Sequence, residues 1–191
     1  MKDLTRRAEV GPYVIRHATP EDVHGARSVM LDTFYREFQY GYVPAWHADV
    51  VDIERTYLDD PRHVLFVAVR DGEVVGTTAV HSRGPAHPPH PQWLAERYPC
   101  GRTAQLARVY VRPAHRRHGL ARAMVRMACE FAAATPGYER VYLHTNVDVP
   151  GAEGFWRSLA TEVFDDRTTS EDGGFRTVHF EIPFRGEFHA G

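Results

Sequence analysis

The stretch that decides the fold is Ala104 to Ala134, AQLARVYVRPAHRRHGLARAMVRMACEFAAA. Leu106 to Val111 is rich in β-branched and aromatic residues and reads as a strand, which Pro113 ends. Arg116-Arg117-His118-Gly119-Leu120-Ala121 is a basic turn. Leu120 to Ala134 then reads as a helix, with Leu120, Met124, Met127, Ala128 and Phe131 on one face at helical spacing. Thr135-Pro136-Gly137 stops it. The strand thus delivers a helix N-terminus ringed by cations. The first N–H groups of a helix lack intrahelical partners, and the macrodipole adds partial positive charge there. Gly119 lets backbone come close to a ligand, and Arg116, Arg117 and His118 add charge. The expected guest is an anion, most simply a phosphate or pyrophosphate.

Upstream, residues 1–11 read as a loose tail and Tyr13 to His17 as a first strand. Thr19-Pro20-Glu21-Asp22 is a helix start, with a capping Thr, Pro at the first helical position and acids that complement the dipole. That helix runs to about Phe38, and Tyr40-Gly41-Tyr42-Val43-Pro44 breaks it. A second helix carries Trp46, Val50, Ile53 and Tyr57 on one face and ends at Asp59-Asp60-Pro61. Val64 to Val69 and Val74 to Val80 flank Asp71-Gly72, a hairpin signal because these residues accept the positive φ of the turn. Residues 82–103 form a long Pro- and Gly-rich connection with one helical turn at Gln92 to Arg97; such a loop tends to be functional or mobile. Downstream come a strand at Arg140 to Thr145, a short helix at Pro150 to Leu159, and strands at Thr161 to Phe164 and Phe175 to Ile182. An acidic, Gly-containing loop, Asp165 to Gly174, joins the last two.

A chain of 191 residues suits one domain with a full-sized core. Apolar content of 43% and charged content of 25% are those of a globular protein. A formal net charge of −2 gives no global argument for nucleic acid or membrane. The N-terminus lacks an apolar core of the secretory type, and no apolar run approaches a membrane span. Cys100, in a loop, and Cys129, in a helix, do not make a disulfide framework. A cytoplasmic location with reduced thiols is expected.

Arg116-x-x-Gly119-x-Ala121, between a strand and a long helix and led in by Val109-Tyr110-Val111-Arg112-Pro113, resembles the coenzyme A signature of the GNAT acetyltransferases. The order of elements matches that family over residues 13–184, nearly the whole chain. The resemblance implies a single N-acetyltransferase domain, with its core at 13–184. It implies an α+β fold with a mixed, mainly antiparallel sheet of about seven strands and helices on both faces. It also implies that the strands at 106–111 and 140–145 splay apart, so that the pantetheine arm of acetyl-CoA satisfies backbone groups there. On this reading Val109, Tyr110 and Val111 meet the pantetheine and Arg116, Arg117, His118, Gly119, Leu120 and Ala121 hold the pyrophosphate. Asn146 and Trp156 complete the coenzyme A set.

Many members of the family use a Glu on the central strand as base and a Tyr in the helix after the next strand as acid. Gln105 and Trp156 fall at or near those positions here, and neither transfers a proton. His144, next to Thr145 and Asn146, and His81, at the end of the hairpin strand, are the candidate bases. Tyr57, Tyr110 and Tyr142 are candidate donors, although aromatics at such positions are more often core. A thiolate also leaves without an acid if a backbone amide polarises the carbonyl. No metal is expected: His87-x-x-His90 lies in a Pro-rich frame with weak accompanying ligands and reads as a solvated loop.

The residues 34–46 are dense in aromatics, most of which pack core while some wall an acceptor. Asp49, Asp52, Glu54, Asp59 and Asp60 read as a solvated acidic face. The function implied is acetyl-CoA-dependent transfer of an acetyl group to a primary amine of a small molecule, by direct attack of the neutral amine on the thioester in a ternary complex. Two alternatives stay open. One is acetylation of a protein N-terminus or lysine; the other is a non-catalytic acyl-CoA sensor or interaction module, which Gln105 and Trp156 favour. Neither a nucleic-acid nor a membrane partner is expected, and a homodimer is an open option.

Overall fold

The structure, a computed structural model, describes residues 5–168 and 176–184. Its strands are β1 (Arg7–Val10), β2 (Tyr13–His17), β3 (Val64–Arg70), β4 (Glu73–Ser82), β5 (Thr103–Val111), β6 (Arg140–Asn146), β7 (Thr161–Asp165) and β8 (Thr177–Ile182). The α-helices are α1 (Val23–Asp32), α2 (Ala48–Val51), α3 (Gln92–Arg97), α4 (Leu120–Ala134) and α5 (Ala152–Arg157). The strands form an eight-stranded sheet in the order β1-β2-β3-β4-β5-β6-β8-β7. The chain divides into two compact units, Met1–His81 with Leu106–Phe131, and Ser82–Gln105 with Ala132–Gly191.

In unit one, β1 is a correction to the expected loose tail. Val10-Gly11-Pro12-Tyr13 closes a hairpin, with Gly11 at φ +55 and Val10 paired to Tyr13 in antiparallel register. Gly supplies the positive φ that a tight hairpin loop needs. This strand raises the sheet from seven strands to eight. β2 pairs with β3, and β3 with β4, both antiparallel. The β3–β4 turn is the expected one, with Asp71 at φ +51 and Gly72 at φ +81.

The helix that begins at Pro20 passes through α1 into a π-helical turn at Thr33–Glu37. At its start the Asp22 carboxylate accepts from the Thr19 N–H at 2.8 Å and from Arg16 at 2.6 Å. Its inward residues Ala26, Val29, Met30 and Phe34 pack with Val50, Ile53 and Tyr57 and with Leu65, Val67 and Ala79. The expected second helix is broken. α2 is one turn, Asp52 leaves helical geometry at ψ +67, and a π-helical segment follows at Glu54–Asp59. Trp46 lies ahead of it and is 47% exposed, so it does not share the buried face of Val50, Ile53 and Tyr57. α4 keeps its predicted bounds and buries Leu120, Met124, Val125, Met127 and Ala128.

In unit two, the first residues of β5 pair in parallel with β6, Thr103 opposite Arg140 and Gln105 opposite Tyr142. β5 therefore begins three residues ahead of the strand read at Leu106. β6 and β7 pair antiparallel with β8. The helical turn expected in the 82–103 connection is α3, whose Leu94 packs with Tyr98, Tyr142, Val163 and Phe164. The residues of β8 alternate, with Val178, Phe180 and Ile182 apolar and Thr177, His179 and Glu181 polar, yet Val178, His179 and Phe180 are all fully buried. The acidic loop at 169–174 and Phe175 lie outside the described residues. No helix among the described residues is long and apolar enough to cross a membrane.

Candidate active site

The basic turn belongs to unit one. Pro113 starts a short 3-10 turn, Pro113–His115, and the chain then enters α4 through two left-handed residues, Arg117 at φ +66 and Gly119 at φ +77. A Cβ built on Gly119 meets nothing within 4 Å, so glycine is required by its backbone and the space beside it is open. A non-glycine residue in this region costs about 1–3 kcal/mol and tends to mark ligand clamps, which makes Arg117 notable. The Gly119 carbonyl accepts from the Ala123 N–H at 3.0 Å, which places it at the N-cap of α4. Leu120 anchors the helix in the core, Ala121 is partly exposed, and Arg117 and His118 are exposed.

Arg116 is braced: its Nε donates to the Val111 carbonyl at 2.8 Å and its guanidinium pairs with Glu37. Val109 and Tyr110 are half-buried and Val111 buried. Tyr110 meets Phe34 and Phe38 edge-on. The open space beside the Gly119 backbone, the start of α4 and the exposed Arg117 and His118 side chains fit a pyrophosphate.

A second feature of unit one lies at an irregularity of β5, where Arg108 has φ +55. Its guanidinium grips Asp49 through two hydrogen bonds, at 2.9 and 2.6 Å, and also donates to the Trp46 carbonyl at 2.7 Å. The Tyr57 hydroxyl donates to the same carboxylate at 2.6 Å. Burial alone would raise the Asp49 carboxyl, but Arg108 and Tyr57 outweigh it and hold it below the usual carboxylate range. Asp49 is therefore a buried, neutralised anion and not part of a solvated acidic face. His47 stacks on Phe34 at 3.9 Å and accepts the Val43 N–H at 2.9 Å. Burial, with Arg108 adding to it, pushes the His47 imidazole down to about 4, so this ring is neutral. His81 stands near Tyr57 and His63, with ring centroids at 6.2 and 6.3 Å.

Unit two holds the other candidate base. His144 is exposed on β6, and its Nδ1 lies 3.4 Å from the Gln105 amide nitrogen and 3.4 Å from the Tyr142 hydroxyl. Tyr142 is fully buried and shares a 2.6 Å hydrogen bond with Nδ1 of His179. Burial, with His144 and His90 adding to it, pushes His179 down to about 3. His90 is half-buried against His179, with ring centroids 4.9 Å apart, and is not a solvated loop residue. The Asn146 side chain caps the following turn by accepting from the Asp148 N–H at 2.9 Å. Trp156 is buried on α5 against Phe155.

Comparison with known proteins decides the family. The acetyltransferase (GNAT) family model matches residues 29–160. The chain belongs to the GNAT family. It is 35% identical over 113 residues to rat N-acetyltransferase family 8 member 3, covering 59% of this chain and 44% of that protein. It is 32% identical over 115 residues to human N-acetylaspartate synthetase, covering 60% of this chain and 33% of that protein. The match thus spans less than half the length of these relatives. An acetyltransferase of the GNAT family from Staphylococcus aureus shares the fold with a TM-score of 0.66 at 14% identity, over 90% of this chain and 99% of that one. A putative acetyltransferase from Salmonella typhimurium, solved with its cofactor acetyl-CoA, does so with a TM-score of 0.64 at 14% identity, over 94% and 98%.

The GNAT fold and the N-acetyltransferase class expected from the sequence agree with these likenesses. Of the residues singled out in this GNAT chain, unit one gathers Val109–Val111, Arg116–Ala121 and His81, and unit two gathers His144, Asn146 and Trp156. Sequence reading missed Arg108 with Asp49, and His179 with His90 and Asp166. Arg108 is one of several arginines on strands, and its positive φ and its pairing with Asp49 show only in the folded chain. His179 alternates with apolar residues, a pattern that normally marks a solvent-facing position.

Proposed function

We propose that this GNAT protein moves an acetyl group from acetyl-CoA to a primary amine of a small molecule. The observation that carries the reading is the strand–turn–α4 junction, with Gly119 at φ +77 beside open space and Arg117 and His118 exposed around it. The backbone of Val109, Tyr110 and Val111 serves the pantetheine and Arg116 to Ala121 the pyrophosphate. His144 is the base. It removes a proton from the ammonium form, the neutral amine attacks the thioester, the new C–N bond forms as the C–S bond breaks, and the proton that the acylated nitrogen then sheds ends on the sulfur, which leaves as thiol. Gln105, buried at 7% exposure, positions the His144 ring and takes no proton. His81 remains the second candidate base. A small acceptor is supported by the relative named for N-acetylaspartate. The two units are read as a single N-acetyltransferase domain.

The test separates backbone strain from ligand repulsion. Gly119→Ala and Gly119→Glu impose the same positive-φ strain, and neither Cβ meets a neighbour within 4 Å. Only Glu brings an anion to the phosphate. Calorimetric titration with acetyl-CoA is expected to show at least about tenfold weaker binding for Gly119→Glu than for Gly119→Ala, a difference of about 1.4 kcal/mol. Equal affinities would place the coenzyme elsewhere.

A further inference from the structure

Three elements of unit two bring nitrogen and carboxylate ligands together. His90 comes from the 82–103 connection, Asp166 from the short helical turn after β7, and His179 from β8. One ligand atom from each lies within 4.8 Å of the others. Proximity alone is common, and the state of the imidazole nitrogens says more. His179 is 0% exposed, and its Nε2 is buried with no hydrogen-bond partner among the described residues. The Nδ1 of His90 is in the same condition. A buried polar atom left unpaired costs about 1–3 kcal/mol. Two such nitrogens on rings in edge-to-face contact, beside a carboxylate, are what one cation would answer.

We propose that His90, Asp166 and His179 form a binding site for a divalent transition metal, with zinc the best match to the donor set. Two imidazoles and a carboxylate are borderline-soft ligands of the kind zinc takes in sites that keep an open fourth position, here for water. The outer partner is in place. Nδ1 of His179 shares a 2.6 Å hydrogen bond with the Tyr142 hydroxyl; in the tautomer that donates Nδ1–H to that oxygen, Nε2 carries the lone pair, and a metal-bound imidazole ordinarily donates its other N–H to an outer partner. Burial keeps both imidazoles neutral, since it lowers His90 and takes His179 down to about 3, so no proton competes for the lone pairs near neutral pH. Zinc–ligand bonds of about 2.0–2.2 Å draw the set inside its present 4.8 Å envelope, and Asp166, on a short turn at a strand end, is the member placed to move in. Occupancy ties the 82–103 connection to β8. The proposal does not depend on acetyl transfer and goes against the expectation that no metal binds.

The experiment uses the full chain, stripped with a chelator and dialysed, titrated calorimetrically with zinc chloride and separately with cobalt chloride followed by visible absorption. The expected result is a single equivalent of zinc and cobalt bands of low coordination number. Because His179 is wholly buried, the variants act on the other two ligands. His90→Gln and Asp166→Asn, each verified as folded by circular dichroism, should each weaken binding by more than about tenfold, the scale that even the outer partners of metal ligands command. No heat and no cobalt bands with the wild-type chain would overturn the site. Binding that both variants leave unchanged would overturn it equally, since the metal would then sit on others of the twelve histidines.

Discussion

His144 and Gln105 carry the chemical weight of the proposed reaction. A Gln at the usual carboxylate position cannot accept a proton, and its amide nitrogen lies 3.4 Å from the His144 ring instead. If His144 is the base, the rate must fall as pH drops and the imidazole is protonated. Removing the ring should then lower kcat by about a hundredfold or more and flatten that acid limb. The measurement is the pH–rate profile of His144→Gln in chelator-treated protein; an unaltered profile would exclude His144 and turn attention to His81. At this scale the sequence was unevenly legible. Gly119 could be read because a positive-φ glycine before a helix has a local cause. His179 could not, because its burial depends on β7 and the 82–103 connection, which lie far from it in sequence. Asp49 looked solvated for the same reason: its partner Arg108 is 59 residues away.

Among the elements, those with local chemistry were read closely. α4 keeps its predicted bounds, and the Asp71-Gly72 hairpin takes the backbone its residues favour. Because Gly72 holds φ +81 with nothing within 4 Å of a built Cβ, Gly72→Ala should destabilise through backbone strain alone. The expected cost is about 1–2 kcal/mol, read from the urea midpoint at unchanged slope. A midpoint equal to wild type would mean that the turn relaxes to another form. β1 was missed because its polar–apolar alternation, Arg7-Ala8-Glu9-Val10, lasts only four residues and its inward side chains are small, although Gly11-Pro12 marked the turn. The second helix was over-extended because its apolar spacing persists through Asp52, where the backbone does not stay helical.

For the whole molecule, the Arg116-x-x-Gly119-x-Ala121 signature together with the order of elements made the GNAT fold legible, since strand and helix periodicities are local and their succession is distinctive. Neither compact unit is continuous in sequence, because β5 crosses between them at Gln105 and α4 at Phe131. The acceptor is not legible at any scale, because no single motif encodes it. The most direct measurement is titration with acetyl-CoA followed by free-thiol release across a library of small amines. The account predicts saturable binding and thiol release with one class of primary amine. Binding without release on any amine would contradict the transferase reading and leave an acyl-CoA sensor or a protein acceptor; no binding at all would remove the role assigned to the turn from Arg116 to Ala121.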